Sequence, residues 1–145
     1  MDKIFDALKA EGYKKIKLKV SKTHHLLIRA KINGIEGNFI LDTGASSSCV
    51  GFGDISFFNL KAEESPTKAS GAGAVGMDTQ MSSNNTLQLG RWKTDDFSLV
   101  IFNMSHVNLA LEQYHAKPVH GIIGADVLMK GKGVIDYQGE FFYLK

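Results

Sequence analysis

The chain has 145 residues and a formal net charge of +2, and hydrophobic residues make up 43% of it. This length and composition are typical of one globular domain and exclude a disordered or fibrous protein. A site built from two large lobes would therefore require a second copy of the chain.

The charge distribution argues against a nucleic-acid-binding protein. Seventeen Lys and Arg residues stand against fifteen Asp and Glu residues, and the main cluster of lysines lies between Lys14 and Lys19. These lysines alternate with apolar residues, a pattern typical of a strand with one solvated face. No exposed aromatic residues interleave with them to stack on bases. We therefore predict no nucleic-acid partner.

The sequence contains no signal for a membrane. The first fifteen residues have no apolar run of the signal-peptide type, and no later segment approaches the roughly 18 apolar residues of a membrane span. We expect a cytoplasmic protein that does not bind membranes.

No metal or cofactor site is predicted. The lone cysteine, Cys49, excludes an internal disulfide and multi-cysteine metal sites. It is interpreted as a small buried residue, with a redox-sensitive thiol as the alternative. The five histidines lack metal-ligand spacing. A dinucleotide-type glycine pattern spans Gly71 to Gly76, but no buried strand precedes it and no helix follows it.

In chain order, the first predicted element is a short amphipathic helix. Asp2 is its candidate N-cap, Ile4, Phe5 and Leu8 share one face, and Gly12 lies where such helices end. The apolar alternation then changes to a period of two, which predicts a strand over residues 15–20.

A β-hairpin follows, and it ends in a carboxylate. The run from Leu26 to Ile32 alternates, Asn33-Gly34 is a strong two-residue turn signal, and an apolar return strand ends at Leu41. Asp42 comes next, in the sequence Asp-Thr-Gly-Ala-Ser. A carboxylate at the end of a buried strand costs free energy to ionise unless it has partners, so its position needs a functional or structural explanation.

The remaining chain predicts further short strands. Residues 63–85 are rich in Ser, Thr, Gly and Ala and are interpreted as a long hairpin or mobile loop. Strands are predicted over residues 87–89, 97–102, 133–137 and 140–144, with a helical piece over residues 126–129. We predict an all-β, barrel-like domain with a minor helix.

At three places the sequence resembles the retropepsin-like aspartic proteases of clan AA. INGIEGNFILDTGAS, residues 32–46, resembles the family's hairpin and catalytic turn. HGIIGADVL, residues 120–128, resembles its second signature, and GVIDYQGEFFYL, residues 133–144, its terminal strands. The resemblance implies a retropepsin-like closed β-barrel (acid protease fold) over residues 14–145, with a short C-terminal helix and an N-terminal helical extension over residues 1–13.

The resemblance also implies an aspartic endopeptidase. Its catalytic residues would be Asp42, Thr43 and Gly44, acting on a peptide or protein substrate without a cofactor. The chain has one Asp-Thr-Gly, so the second carboxylate would be Asp42 of another subunit in a homodimer.

The implied substrate-binding residues come from three segments of the chain. Gly71, Ala72 and Gly73 would form the tip of a flap that closes over the substrate. The others are Ala45, Ser46, His120 and Ile122, although a surface or flap-neighbouring role is an alternative for His120.

The role of Asp126 and one alternative function complete the interpretation of the sequence. Asp126 is interpreted as a helix N-cap or turn anchor rather than as a catalytic residue. The alternative function is a catalytically silent dimeric peptide-binding module of the same fold, because the segment between the signatures is longer than in compact retroviral proteases and lacks bulky apolar residues at its tip.

Overall fold

A computed structural model describes residues 3–64 and 79–145 of the chain. Three helices and a short 3-10 turn, Phe52–Asp54, lie between strands in this part of the chain. In chain order the elements are α1 Lys3–Ala10, β1 Lys14–Lys17, β2 Lys19–Val20, β3 Leu26–Ile32, β4 Ile35–Leu41, β5 Cys49–Gly51, β6 Glu63–Glu64, β7 Gln80–Leu89, β8 Trp92–Phe102, α2 Ser105–Gln113, β9 Gly121–Ile123, α3 Ala125–Lys130, β10 Val134–Asp136 and β11 Phe141–Leu144.

The strands form two sheets, and the larger one closes on itself. Its order is β2-β3-β4-β9-β5-β8-β7-β6, and an additional pairing joins β3 to β7. Six strands, β3, β4, β9, β5, β8 and β7, therefore form a closed barrel. A small sheet with the order β1-β11-β10 lies beside it. The predicted all-β barrel is confirmed.

The hairpin between β3 and β4 has the predicted turn. Ile32 pairs with Ile35, and the two residues between them, Asn33 and Gly34, have φ values of 53° and 82°, as a type I′ turn requires. The Asn33 side chain donates to the Phe58 carbonyl at 2.9 Å and to Asn85 Oδ1 at 2.8 Å. The turn thus also helps to close the barrel near β7.

Strand β9 lies between β4 and β5, and this placement determines the architecture of the site. It runs parallel to β4, with Leu41 opposite Ile123, and antiparallel to β5. A Cβ added at Gly121 would lie 1.9 Å from the Cys49 carbonyl oxygen, a distance that no side chain tolerates. The position of β9 between β4 and β5 therefore requires glycine at residue 121 for steric reasons.

Two groups of buried side chains form the core. The first fills the barrel and includes Phe39, Phe58, Leu87, Ile101 and Phe142. The second lies between the barrel wall and α2; its buried members are Ile40, Cys49, Phe102, Met104, Leu111, Val119 and Ile122. Through this second cluster, α2 packs against β4, the strand that ends directly before Asp42.

The N-terminal helix rests on the small sheet without burying any of its own residues. The Phe5 ring stacks on Tyr143 with centroids 6.3 Å apart. Gly12 has a φ of 91° and its N–H donates to the Lys9 carbonyl, so the predicted end of the helix is confirmed. The candidate cap Asp2 lies outside the described residues. The division into an extension, 1–13, and a domain, 14–145, stays a prediction.

Several elements differ from the sequence-based prediction. Strands β7, Gln80–Leu89, and β8, Trp92–Phe102, are longer than the strands expected over residues 87–89 and 97–102, and β5 and β9 were not predicted as strands. Residues 80–85, expected within a long hairpin or mobile loop, belong to β7. The single strand expected over residues 15–20 is two strands, since β1 pairs with β11 and β2 pairs with β3; the chain passes from one sheet to the other at Leu18. Helix α2 was not predicted. Its signal was present, because Val107, Ala110 and Leu111 have helical spacing and the Asn103 side chain accepts the Ser105 N–H at 2.8 Å.

Candidate active site

Asp42 lies at the end of β4, where the parallel pairing with β9 stops. Its backbone N–H donates to the Ile123 carbonyl at 2.9 Å, which continues the ladder by one residue. The side chain is half-buried. The carboxylate is therefore carried by the barrel wall itself rather than by a free loop.

The turn after Asp42 is shaped by the carboxylate. The Gly44 N–H donates to Asp42 Oδ1 at 2.8 Å, and the Ala45 N–H donates to the Asp42 carbonyl at 3.2 Å. A Cβ on Gly44 would lie 3.2 Å from Asp42 Oδ1, which is tight. The side chain of Thr43 and the backbone of Gly44 are exposed, so this turn is accessible to a neighbouring molecule.

A buried serine connects this turn to α3. Ser48, which is 1% exposed, donates its Oγ to Asp126 Oδ1 at 2.7 Å and its N–H to Asp126 Oδ2 at 3.0 Å. The Gly124 N–H donates to Ser48 Oγ at 2.9 Å. Asp126 thus anchors the segment after Asp42, as the turn-anchor interpretation predicted.

The same contact region excludes side chains at Gly124. The Ala125 N–H donates to the Ala45 carbonyl at 2.7 Å, and a Cβ on Gly124 would lie 2.6 Å from that carbonyl oxygen. The motif of residues 32–46 and the motif of residues 120–128, which are distant in the sequence, are therefore in direct backbone contact.

A cleft of about 790 Å³ opens beside Asp42. Its lining comes from residues 22–26, 40–43, several positions between 106 and 114, Ile122 and Tyr137. Of the predicted site residues, Asp42, Thr43 and Ile122 line it together. Ala45 and Ser46 belong to the turn but are not among the lining residues.

His120 lies away from this cleft. It directly precedes β9, and its Nδ1 accepts the Asn38 N–H at 3.0 Å. Its ring stacks on Phe57 at 5.1 Å and meets Phe58 edge-on at 5.4 Å. The contacts of His120 are thus structural, and its placement gives no support to a substrate-binding role. Gly71, Ala72 and Gly73, the predicted flap tip, lie outside the described residues.

Comparison with known proteins identifies the family to which the site described above belongs. A family model described as aspartyl protease matches residues 28–127, which include Asp42, β9 and the first turn of α3. The chain belongs to the aspartyl protease family. A comparison with curated protein sequences gave no match.

Three solved structures show the same fold. A retropepsin-like aspartic protease from Rickettsia conorii superposes with a TM-score of 0.62 at 16% identity, over 91% of this chain and 90% of that one. EIAV protease complexed with the inhibitor HBY-793 gives 0.55 at 17% identity, over 77% and 92%. The retroviral protease-like domain of Ddi1 from Leishmania major gives 0.55 at 15% identity, over 83% and 87%. The predicted retropepsin-like barrel is thereby confirmed.

In this member of the aspartyl protease family, two walls of the cleft were not predicted from the sequence. One wall is α2, which contributes His106 and Leu111, together with Tyr114 directly after the helix. The other is the loop before β3, with Lys22, Thr23 and the two adjacent histidines. The alternation of β3 predicted the strand but contained no information on what its preceding loop faces.

Cys49 is a structural residue of the second core cluster. It is 6% exposed, and burial raises the pKa of its thiol from 9.0 to about 12, with the charges of Asp126 and Asp42 adding to the effect. Because the thiolate is the reactive form, this environment argues against the redox-sensitive alternative.

No group of three or more His, Cys, Asp or Glu side chains in the ranges 3–64 and 79–145 is arranged to hold a metal ion. None of the helices in those ranges is long and apolar enough to cross a membrane.

Proposed function

We propose that the protein is an aspartic endopeptidase whose reactive centre forms between the Asp42 residues of two protomers. The observation that carries the proposal is the position of the Asp-Thr-Gly turn. It presents a half-buried carboxylate at the end of a barrel strand, beside a cleft of about 790 Å³, in a chain of the aspartyl protease family.

The chemistry follows from two carboxylates at hydrogen-bonding distance. They cannot both be ionised, so the pair holds one proton. The ionised carboxylate takes a proton from a bound water as the water oxygen attacks the amide carbonyl carbon. The neutral carboxylic acid donates to the developing oxyanion. Collapse of the tetrahedral intermediate breaks the C–N bond, and the amine leaves with a proton from the pair.

The second carboxylate is assigned to a partner subunit because of how Asp126 is bonded. Asp126 accepts hydrogen bonds from Ser48 and from the Val127 N–H at 2.9 Å, so both of its oxygens serve the loop. Thr43 and Gly44, in contrast, are exposed and are available for contact across a two-fold axis.

The remaining predicted residues take supporting roles in this proposal. Thr43 hydrogen-bonds across the axis, and Gly44 allows the two turns to approach. Ala45, Ser46 and Ile122 contact the substrate. The segment around Gly71, Ala72 and Gly73 closes over it and excludes water.

The direct test compares three proteins on an unfolded substrate between pH 3 and pH 7. Wild type and Asp96→Asn should cleave it, and Asp42→Asn should lose at least about a thousandfold in kcat/KM, because no carboxylate remains to activate water. Asp96 is a suitable control, since it is exposed and its φ of 56° suits asparagine. Equal cleavage by wild type and Asp42→Asn would refute the proposal.

A mixing experiment tests the shared site. Wild type is combined with an equal amount of Asp42→Asn and the subunits are allowed to exchange. If every active dimer needs two Asp42 residues, random pairing lowers the activity per wild-type chain to about half. Asp96→Asn in the same mixture should leave the activity of the wild-type chains unchanged. A full, undiminished activity with Asp42→Asn would show that one protomer suffices.

The peptide-binding module without catalysis predicts a different set of results. A dimer that binds unfolded substrate, with no cleavage by wild type at any pH from 3 to 7, would replace the endopeptidase by this second function. Sedimentation and peptide binding measured on the same preparation separate the two.

A further inference from the structure

The walls of the cleft beside Asp42 carry basic and imidazole groups. Among the described lining residues, Asp42 is the one carboxylate, whereas Lys22, His24, His25 and His106 bring a permanent cation and three imidazoles. The whole chain has five histidines, so most of them face this one cavity. The other titratable lining groups are the phenols of Tyr114 and Tyr137.

The loop of residues 21–25 is built as a tight turn that exposes its basic side chains. The His24 N–H donates to the Ser21 carbonyl at 2.9 Å, and the Ser21 N–H donates to the His25 carbonyl at 2.9 Å. His24 has a φ of 64°, a left-handed conformation that is uncommon for residues other than glycine. Lys22, His24 and His25 are exposed, at the edge of the cleft.

A chain of hydroxyl groups holds His25 in either protonation state. Ser21 Oγ and Thr23 Oγ1 are 2.8 Å apart, and Thr23 Oγ1 is 2.6 Å from His25 Nδ1. With neutral His25, Ser21 donates to Thr23 and Thr23 donates to Nδ1. With protonated His25, the Nδ1–H donates to Thr23 and Thr23 donates to Ser21. Reversing these hydroxyl groups lets His25 take up a proton without moving.

The second wall adds His106 from the first turn of α2. It is exposed and lines the same cavity as the residue 21–25 loop. A peptide lying beside Asp42 would therefore have imidazole groups on two sides. The floor between them is apolar, formed by Ile40, Leu41 and Ile122.

We infer that this cleft selects peptide segments with an acidic side chain close to the bond at Asp42, and that the selection strengthens as the pH falls. This inference rests on the proposed function for the cleavage step. The recognised chemistry is a Glu or Asp carboxylate in an extended peptide, held by Lys22 and by the protonated imidazoles of His24, His25 and His106. In a Coulombic pair of this kind, partial desolvation in the cleft strengthens the attraction.

The direction of the pH effect follows from the two titrating partners. Histidine side chains gain a proton between about pH 8 and pH 5, whereas a substrate glutamate stays ionised down to about pH 4.3. Between these limits the cleft becomes more positive as the ligand keeps its charge. Preference for Glu over Gln should therefore rise from pH 7.5 to pH 5.5, with Lys22 supplying the residual preference at pH 7.5.

The test measures peptide binding separately from cleavage. Two fluorescein-labelled pools of random decapeptides are compared, identical except that one contains Glu and the other Gln at a fixed number of positions. Binding to Asp42→Asn protein is followed by fluorescence anisotropy at pH 5.5 and pH 7.5. We expect the Glu pool to bind about tenfold more tightly at pH 5.5 and about threefold more tightly at pH 7.5.

Variants assign the effect to the cleft. His24→Asn and His106→Gln, each combined with Asp42→Asn, should each lower the preference at pH 5.5 by about 1.5-fold, from about tenfold to about sevenfold, and change it little at pH 7.5. His115→Asn is the matched control, because His115 is also exposed, has a φ of 58° and is not among the lining residues. It should keep the full preference.

The outcomes separate this inference from the proposed function. Equal binding of the two pools at both pH values overturns the inference, whether or not wild type cleaves peptides. The inference is also overturned if His115→Asn lowers the preference at pH 5.5 as strongly as His24→Asn does. A preference for Glu in a wild-type protein that cleaves neither pool supports the inference and refutes the endopeptidase.

Discussion

Ser48 is the residue that connects the Asp42 turn to the rest of the barrel. Its hydroxyl donates to Asp126 and accepts from the Gly124 N–H, and the side chain is almost fully buried. A hydroxyl that serves one donor and one acceptor in a buried place leaves two unsatisfied groups when it is removed. Its contribution is therefore to hold the turn rather than to take part in chemistry.

Replacing this hydroxyl should destabilise the fold. Ser48→Ala is expected to lower the free energy of unfolding by about 2 kcal/mol, as measured by urea denaturation. Ser47→Ala is the control, since Ser47 is exposed, and should stay within about 0.5 kcal/mol of wild type. Equal effects of the two substitutions would contradict the role of the Ser48–Asp126 contact.

Because of Cys49, the free energy of unfolding should depend on pH in the alkaline range. The pKa of its thiol is raised to about 12 in the folded protein, so above about pH 9 the unfolded chain loses a proton that the folded chain keeps. Stability is complete below pH 9 and falls as the pH rises from 9 to 12, by at most about 1.4 kcal/mol per pH unit.

The measurement compares two pH profiles. Between pH 7 and pH 10.5, wild type should lose about 2 kcal/mol more unfolding free energy than Cys49→Ala. Comparing the change with pH, rather than the absolute values, removes the packing cost of the substitution. Parallel profiles would show that the thiol does not titrate differently on unfolding.

At the scale of elements, β9 carries the architecture of the site. It lies between β4 and β5, and the Ile123 carbonyl accepts the Asp42 N–H. This threading requires a residue without a side chain at position 121, because Cβ would collide with the backbone of Cys49. Backbone collisions are not relieved by a change of rotamer.

Gly121→Ala is therefore expected to cost about 3 kcal/mol or more of unfolding free energy. The control is Gly53→Ala, at a site where an added Cβ meets nothing within 4 Å. Thermal unfolding followed by circular dichroism measures both. A stable Gly121→Ala protein with native spectra would show that β9 is not confined in this way.

Element prediction succeeded where the signal was local. The Asn33-Gly34 turn and the strands around it follow from alternation and from turn chemistry. Helix α2 was not predicted, although its apolar spacing is helical, because its apolar pattern is weak and Leu111 is its one buried residue. The break at Leu18 was not predictable, since both halves of the run have the same alternation and differ only in their partners.

At the scale of the whole molecule, α1 covers part of the small sheet, and none of its residues lines the cleft beside Asp42. None of the helix residues is buried, yet Tyr143 beneath it is 0% exposed. The helix thus shields Tyr143 of the small sheet from solvent, although its own side chains stay at least partly exposed.

Removing residues 1–11 should leave the barrel folded. We expect the free energy of unfolding to fall by about 1–2 kcal/mol, the value of the apolar surface of Phe5 and Tyr143 returned to water, with an unchanged β-sheet spectrum. Phe5→Ala should reproduce most of this loss, whereas Ile4→Ala, at a side chain that is 47% exposed, should not. Failure of the truncated chain to fold would contradict the division at residue 13.

The sequence alone was sufficient for the barrel class, the hairpin, the Asp-Thr-Gly turn and the family, because these depend on alternation, turn propensity and motifs that are contiguous in the chain. Only the tertiary structure decided that Asp126 serves Ser48, that His120 packs on Phe57 and that three histidines meet at one cleft. Those relationships join residues that are distant in the chain, and their contacts depend on how β9 and α2 pack against the barrel, which no local pattern encodes.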